Sequence, residues 1–219
     1  AITFPMAAVF MAMMIGILSG LGSGYYIWGR EPENTVDLKA VEVPDWVQQD
    51  FLRKNIFSRP DVTRKQVTNI VIHYVGNPGR HMEQLETIRS YWNTRADGYS
   101  KSVMEEMEDA QKEGISSSSH FVVGLDGEVI QCIPIDETAY ANAPRNDDTI
   151  SIEVCHPDDT GKFNDASYES VVKLTAWLCR QLKLKSSDVV RHYDINGKKC
   201  PKYYVEDKEA WKQLKEDVK

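Results

Sequence analysis

The sequence predicts an α/β fold: a central mixed β-sheet of about five or six strands with helices on both faces, preceded by an N-terminal hydrophobic helix. Three observations support this prediction. The run from Thr68 to Val75 is strongly apolar on both faces, as in a central strand that is covered on both sides. Asn164 to Leu184 contains a long amphipathic helix pattern. Shorter strand-like runs alternate with helical ones along the rest of the chain.

The first 29 residues contain no Asp, Glu, Lys or Arg, and the first charge is Arg30. The apolar run that begins at Phe4 extends to Trp28, about 25 residues, which is enough to span a bilayer. We therefore expect residues 1–29 to form a transmembrane anchor. A cleaved signal peptide, with the small residues 19–24 at the cleavage site, is the alternative.

The charged part of the chain opens with residues 30–44, which we expect to form a polar linker punctuated by proline. The remaining residues, 45–219, are expected to form one folded domain. A helix is predicted to begin at Asp45, a suitable N-cap, because the apolar residues Trp46, Val47, Phe51 and Leu52 follow at helical spacing.

The later elements are predicted from apolar periodicity and from turn residues. The expected strands are 68–75, 120–124, 128–134, 149–155 and 189–192. The expected helices are 82–92, 102–113, 164–184 and 207–218.

The formal net charge is −7 at pH 7, and all of it falls on residues 30–219. Nucleic-acid binding needs a basic face, so this acidic balance argues against a nucleic-acid partner. There are four cysteines. Cys132 and Cys155 lie in apolar strand-like runs and Cys179 on the apolar face of a helix, which predicts buried thiols rather than a disulfide framework, with Cys200 as a candidate metal ligand. A bridge between Cys132 and Cys155 stays open as an alternative if their strands are neighbours.

Two histidines and a cysteine form the candidate metal set. His73 lies towards the end of the central apolar run, His192 ends the last predicted strand, and Cys200 follows eight residues later. Two imidazoles and one thiolate suit a catalytic zinc ion whose fourth position is left open for water. The spacing alone fits core histidines and a structural cysteine equally well. The rival ligands by composition are His81, His120 and His156.

The strand 149–155 contains a carboxylate at an unusual position. Ile150, Ile152 and Val154 share one face, and Glu153 lies on the other face between apolar neighbours. A solvated strand residue is the alternative interpretation of Glu153, and its apolar neighbours argue against it. Lys198 lies on the loop two residues before Cys200, where a lysine is usually only solvated.

These stretches resemble, in the same order, the motifs of the zinc-dependent N-acetylmuramoyl-L-alanine amidases of the T7 lysozyme and peptidoglycan-recognition protein superfamily (the amidase-2 type). Ile70 to Pro78 resembles the first zinc-histidine motif, and Ser118 to Ile130 the second strand pair. Thr149 to Cys155 resembles the glutamate strand, and Arg191 to Pro201 the last histidine and cysteine loop. The resemblance runs from about Asn55 to Tyr204.

The resemblance implies that His73, His192 and Cys200 bind Zn²⁺ and that Glu153 and Lys198 are catalytic. It also implies that peptidoglycan is the substrate. Zinc brings the pKa of a bound water near neutrality, a carboxylate can then take the water's proton, and a cation can stabilise the oxyanion.

One loop departs from the family pattern. Many relatives carry Trp-His-Ala-Gly where this chain has the stretch 139–143, so no stem-peptide preference is carried over. We expect His120 and Asn142 to contribute to substrate binding, although a strand-end histidine is an equally simple interpretation of His120. His81 and His156 are expected at the surface.

The combined prediction is a monomeric zinc amidase for bacterial cell-wall turnover, extracytoplasmic and either membrane-anchored or secreted after signal cleavage. A catalytically inactive peptidoglycan-binding module is one alternative. The presence of Cys200, Glu153 and Lys198 favours the enzyme, because inactive relatives lack the cysteine. A phage endolysin of the same chemistry is the other alternative, and the hydrophobic N-terminus argues against it.

Overall fold

The computed structural model describes residues 36–76 and 117–219, together with residues 78, 90, 92 and 93. Val36–Lys219 form one compact unit. The hydrophobic segment 1–29, the predicted helix 102–113 and most of the predicted helix 82–92 lie outside the described residues. Within the described part of the chain, no helix is both long enough and apolar enough to cross a membrane.

Six strands form one sheet in the order β1-β4-β3-β5-β2-β6. The strands β3 and β4 pair antiparallel, and every other neighbouring pair is parallel. This arrangement confirms the predicted mixed sheet. The strands are β1 (Val47–Gln49), β2 (Asn69–Tyr74), β3 (Phe121–Val123), β4 (Val129–Gln131), β5 (Thr149–Val154) and β6 (Val189–Arg191).

The described chain also contains four α-helices and two short 3-10 helices. The α-helices are α1 (Asp165–Leu182), α2 (His192–Asn196), α3 (Lys202–Glu206) and α4 (Lys208–Asp217), and the 3-10 helices are Leu38–Ala40 and Ser186–Asp188. The long helix α1 confirms the amphipathic pattern. Its N-cap is Asn164, whose side chain accepts a hydrogen bond from the backbone N–H of Ser167. It ends at Lys183, which adopts the left-handed conformation.

The predicted helix from Asp45 is wrong, because residues 47–49 form β1 and pair parallel with β4. The pairing continues past the strand, since the backbone N–H of Leu52 donates to the carbonyl of Cys132. Val47 belongs to the core on one face of the sheet and Leu52 to the core on the other. The apolar residues of this stretch therefore pack into the cores on both faces of the sheet, whereas an amphipathic helix would bury them along one stripe.

The sheet separates two cores. The larger core lies under α1 and includes Ile70 and Ile72 of β2, Ile150 and Ile152 of β5, and Leu174 and Leu178 of α1. The smaller core contains Leu52, Trp92, Val122, Leu125, Ile130, Cys132, Ile133, Ala139 and Cys155. Alternation along β2 and β5 follows from this division: residues that point away from α1 are free to carry polar side chains.

Residues 36–44 fall within the stretch expected to be a linker. In the structure Leu38 is buried in the larger core, and Val36, Val41 and Val43 pack against it. Asp37 caps the short 3-10 helix by accepting from the backbone N–H of Lys39. This part of the chain therefore adds to the core of the folded unit.

The central strand β2 lies between β5 and β6, and the three run parallel. His73 is opposite Glu153 in the β2–β5 register, and Ile72 is opposite Arg191 in the β2–β6 register. Because carboxyl ends of parallel strands meet at the same edge of a sheet, the residues that end these three strands lie side by side. Two members of the predicted site, His73 and Glu153, lie at this edge, and His192 comes directly after β6.

Candidate metal centre

His73 and Glu153 lie on the face of the sheet opposite α1. Their neighbours Ile72 and Ile152 point into the larger core, so alternation turns His73 and Glu153 to the other side. The two side chains approach each other there, with Nδ1 of His73 3.7 Å from Oε1 of Glu153.

A short loop brings His192 and Cys200 together. His192 is the first residue of α2, and the helix ends at Gly197, whose φ of 81° lies in the left-handed region. That conformation is natural for glycine and turns the chain back. The backbone N–H of Tyr193 then donates to the carbonyl of Cys200 at 2.9 Å, which closes the loop beside the helix start.

Arg191 fixes the start of this loop. Its guanidinium donates to the carboxylate of Asp194, with Nη2 2.7 Å from Oδ1, and to the carbonyl of Tyr204 at 3.0 Å. The backbone N–H of Arg191 donates to the same carboxylate at 2.8 Å. These bonds hold α2 in place on the end of β6, so the position of His192 is set by the fold.

The nitrogen and sulfur atoms of His73, His192 and Cys200 all lie within 4.8 Å of one another, and all three residues are buried. The ring centroids of the two histidines are 4.5 Å apart. Nδ1 of His73 is 3.7 Å from Sγ of Cys200. Zinc bonds of 2.0–2.3 Å at tetrahedral angles would separate two such atoms by about 3.5 Å, so the observed spacing fits a zinc ion.

Two buried polar atoms in the candidate metal set and the carboxylate beside it lack a hydrogen-bond partner among the described residues. They are Nδ1 of His192 and Oε2 of Glu153. A buried polar atom without a partner costs free energy. With the ring proton on Nε2 and the amide oxygen of Asn196 turned towards it, Nδ1 of His192 could bind a metal ion. A water would satisfy the Glu153 oxygen, so both atoms fit a zinc site.

The protonation of the ligand set follows from burial. Burial lowers the pKa of His73 to about 3, with the neighbouring His192 as the next cause, and lowers that of His192 to about 4. Both imidazoles are therefore neutral near pH 7, as metal ligation requires. Burial, with the Glu153 carboxylate as the next cause, raises the pKa of the Cys200 thiol to about 12. A metal ion would have to displace that thiol proton.

Lys198 is the cation of the site. Its charge opposes the burial that raises the pKa of Glu153 to about 8, and it also lowers the pKa of both histidines. Lys198 and His192 line a cavity of about 230 Å³ beside the ligand set. The cavity is also lined by Tyr140, Ala141, Ala143, Asn146 and Asn196. A substrate group in this cavity would lie between the cation and the ligand set.

Asparagine side chains contact the outer nitrogens of both histidines. Oδ1 of Asn142 is 2.7 Å from Nε2 of His73. The Nδ2 group of Asn196 lies 3.0 Å from Nε2 of His192 and donates to the carbonyl of Ala143 at 3.2 Å. Asn142 is expected from the sequence to bind substrate, but its side chain is only 1% exposed and contacts the candidate metal ligand His73 instead.

The other two described histidines lie outside the ligand set. His120 is completely buried between Ser151, which is 3.0 Å from its Nδ1, and the carbonyl of Glu137. It offers no surface to a substrate, so its position favours the simpler structural interpretation. His156, expected at the surface, is 1% exposed and stacks on Tyr74 at 5.1 Å. His81 lies outside the described residues.

Sequence reasoning missed Asn142 as a partner of His73. Neither the periodicity nor the spacing of the chain relates the two positions, which are 69 residues apart. The loop between β4 and β5 brings them together.

Comparison with known families matches residues 63–203 to the family described as N-acetylmuramoyl-L-alanine amidase (Amidase_2). Two curated relatives are similar over most of the chain. N-acetylmuramoyl-L-alanine amidase CwlL of Bacillus licheniformis is 28% identical, covering 74% of this chain and 43% of its own length. N-acetylmuramoyl-L-alanine amidase BlyA of Bacillus subtilis (strain 168) is 27% identical, covering 77% and 46%. The chain thus spans less than half the length of these relatives.

Solved structures share the fold. The structure of PlyL aligns with a TM-score of 0.59 at 20% identity, covering 79% of this chain and 96% of that chain. The catalytic domain of XlyA aligns with a TM-score of 0.59 at 21% identity, covering 79% and 99%. At these identities the likeness concerns the fold alone.

Proposed function

This chain belongs to the amidase-2 family of N-acetylmuramoyl-L-alanine amidases, and from that premise we propose that it is a zinc-dependent peptidoglycan hydrolase. The bond cleaved is the amide between the lactyl group of N-acetylmuramic acid and L-alanine of the stem peptide. The observation that carries the proposal is the meeting of His73, His192 and Cys200 beside Glu153 at one edge of the sheet.

In the proposed mechanism His73, His192 and Cys200 hold the zinc ion. When bound, zinc supplies a Lewis acid that polarises a carbonyl and activates a water as nucleophile. Glu153 takes the proton of that water and passes it to the leaving amine nitrogen. Its largely buried position beside the ligand set suits a group that must both accept and donate a proton near neutral pH. Lys198, at the wall of the adjacent cavity, stabilises the developing oxyanion.

The rival function is binding to peptidoglycan without cleavage. A binding module needs a groove for the polymer but has no use for a buried carboxylate oxygen left without a partner. Such an atom next to three metal-ligating side chains is what a hydrolytic site needs. The geometry therefore supports catalysis over simple binding.

The test is to incubate the full-length protein, purified in mild detergent, with isolated cell-wall sacculi. We expect one zinc ion per chain by elemental analysis and the release of new L-alanine amino termini. Chelation should stop the release, and added zinc should restore it. New reducing sugar ends would indicate cleavage of the glycan instead. Bound zinc without any release would favour the binding module, and a protein without stoichiometric metal would overturn the ligand assignment.

We also propose that residues 1–29 anchor a monomeric, extracytoplasmic enzyme in the membrane. The enzyme would act on the cell wall of the bacterium that produces it. The support is the uncharged apolar segment that precedes the folded unit. Expression of the full chain followed by alkaline extraction of the membranes tests this proposal. Retention in the membrane pellet supports the anchor. A shortened soluble product supports signal cleavage, and an uncleaved soluble chain contradicts both.

A further inference from the structure

Asn142 lies on the loop between β4 and β5, and its side chain reaches the back of the metal-ligand set. It is almost completely buried, and its Oδ1 is 2.7 Å from Nε2 of His73. The loop is held from inside as well, because Oδ1 of Asn146 accepts from the backbone N–H groups of Ala141 and Asn142. Asn142 is therefore presented to His73 by a fixed piece of backbone.

The direction of the Asn142 amide is set by a chain of hydrogen bonds that ends on a carbonyl. The hydroxyl of Thr149 lies 2.5 Å from the carbonyl oxygen of Arg145. A carbonyl can only accept, so Thr149 donates its single hydroxyl proton there. The contact of 2.8 Å between the Thr149 oxygen and the Asn142 amide must then be a bond that Asn142 donates through Nδ2. The carbonyl oxygen of Asn142 is left to face His73.

This direction decides which nitrogen of His73 carries the proton. An amide oxygen only accepts, so Nε2 of His73 must be the N–H donor. The imidazole is neutral and has one N–H, so the lone pair is on Nδ1. Nδ1 is the nitrogen that lies 3.7 Å from Sγ of Cys200 and faces the ligand set.

The backbone that carries these hydrogen-bonding side chains is also fixed. The buried guanidinium of Arg64 donates to the carbonyls of Thr149 and Glu137, which flank the loop that carries Asn142. Thr149 itself begins β5 and pairs with Asn69 of β2. Thr149 therefore connects the strand that carries His73 with the loop that carries Asn142.

We propose that Asn142 is a positioning residue that selects the metal-binding tautomer of His73, with Thr149 fixing the direction of its amide. This inference rests on the proposed zinc site and concerns how that site is prepared. It places Asn142 behind the candidate metal ligand His73, whereas the sequence analysis expects Asn142 to contact the substrate.

Four variants of the full-length protein test the proposal. Asn142→Leu removes the acceptor at nearly constant volume, and Asn142→Asp keeps an acceptor oxygen. Thr149→Val removes the hydroxyl that fixes the amide. Ser170→Ala is the control. It removes a hydrogen bond to the carbonyl of Gly127 in the β3–β4 hairpin, and Ser170 lies on α1, on the face of the sheet opposite His73.

The first readout is zinc retention against a graded competing chelator. Loss of an outer partner of a metal-bound histidine costs about 10- to 100-fold in metal affinity, and we expect a loss of that size for Asn142→Leu. Thr149→Val should lose less. Asn142→Asp keeps the acceptor for His73 and should retain zinc better than Asn142→Leu does, and Ser170→Ala should match the parent. Equal retention by the parent and Asn142→Leu would overturn the proposal.

The second readout is the imidazole tautomer, measured by nitrogen-15 NMR on metal-free protein. We expect His73 to carry its proton on Nε2 in the parent and in Asn142→Asp, and to lose that preference in Asn142→Leu. A proton on Nδ1 in the parent would contradict the inference directly. A parent that binds no zinc would refute the proposed function, and this tautomer would still decide whether Asn142 directs His73.

Discussion

His73 and Glu153 stand opposite each other on neighbouring parallel strands, and Nδ1 of His73 lies 3.7 Å from Oε1 of Glu153. The second carboxylate oxygen is buried and has no partner among the described residues. The sheet register therefore keeps a carboxylate beside the three side chains that could hold a metal ion, those of His73, His192 and Cys200. In the proposed function Glu153 transfers protons and is not a metal ligand.

Glu153→Gln is expected to abolish most of the activity and to leave the zinc content unchanged. The amide keeps the shape of the side chain but cannot take a proton, so kcat/KM should fall by about 10²- to 10⁴-fold. Release of L-alanine amino termini and elemental analysis measure the two quantities. Glu128→Gln is the matched control, because Oε1 of Glu128 is also buried and has no partner in the part of the chain that the structure describes, but it belongs to the β3–β4 hairpin. Loss of zinc from Glu153→Gln would show that Glu153 is a ligand.

Cys200→Ala is expected to lose stoichiometric zinc, because two imidazoles alone do not complete a structural or catalytic zinc set. Cys179→Ala is the matched control: Cys179 is also buried, but it lies on α1 and contacts the carbonyl of Lys185. Elemental analysis of both variants after dialysis measures the difference. Full zinc occupancy in Cys200→Ala would remove the cysteine from the ligand set.

A metal ion that binds only the folded protein also stabilises the folded state. Zinc at about 100 times its dissociation constant should add about 2.7 kcal/mol to the free energy of unfolding. For a folded unit of this size that corresponds to a rise in Tm of about 5–10 °C. Calorimetry with and without chelator measures the shift in the parent protein. Cys200→Ala should show no shift, and an unchanged Tm in the parent would contradict a folded-state metal site.

The parts of the fold that were predicted correctly are those with strong local patterns. The runs that became β2 and β5 are rich in β-branched residues, and α1 has apolar residues at helical spacing with a cap at Asn164. The candidate metal ligands were predicted because their motifs resemble those of a family, and the structure brings the three residues together. The same local signals could not identify β1, because its partner β4 lies about 80 residues away and Val47 and Leu52 serve different cores.

The contacts behind the ligands could not be predicted for the same reason. Asn142 meets His73 across 69 residues of sequence, and no periodicity relates the two positions. His156 is expected at the surface from the sequence, but it is buried against Tyr74. Polar residues on loops are assigned to the surface by default, and only the fold shows which of them turn inward.

Arg59 and Glu137 form a bidentate ion pair that we expect to matter for stability. Nε and Nη2 of Arg59 each lie 2.7 Å from a carboxylate oxygen, and both side chains are about nine-tenths buried. Arg59→Met leaves a buried carboxylate without its partner and should lower the free energy of unfolding by about 3 kcal/mol.

The control for that pair is Lys54 with Asp61, which are 2.6 Å apart and more than half exposed. Solvent screens such a pair, so Lys54→Met should cost no more than about 1 kcal/mol. Urea unfolding of both variants measures the difference. Equal losses would mean that burial of the Arg59–Glu137 pair does not set its contribution.

Gly197 links backbone conformation to the metal site, because it ends α2 in the left-handed region and starts the return towards Cys200. A Cβ at this position would meet no atom within 4 Å, so a side chain is penalised by its backbone conformation alone. Gly197→Val should therefore open the loop, move Cys200 away from His192 and weaken zinc retention. Gly197→Asn should have a small effect on zinc retention, because asparagine tolerates φ near +60°. The same chelator competition ranks the variants, with the parent and Gly197→Asn expected to bind most tightly. If Gly197→Val retains zinc as well as Gly197→Asn does, the left-handed turn is not what holds Cys200 beside His192.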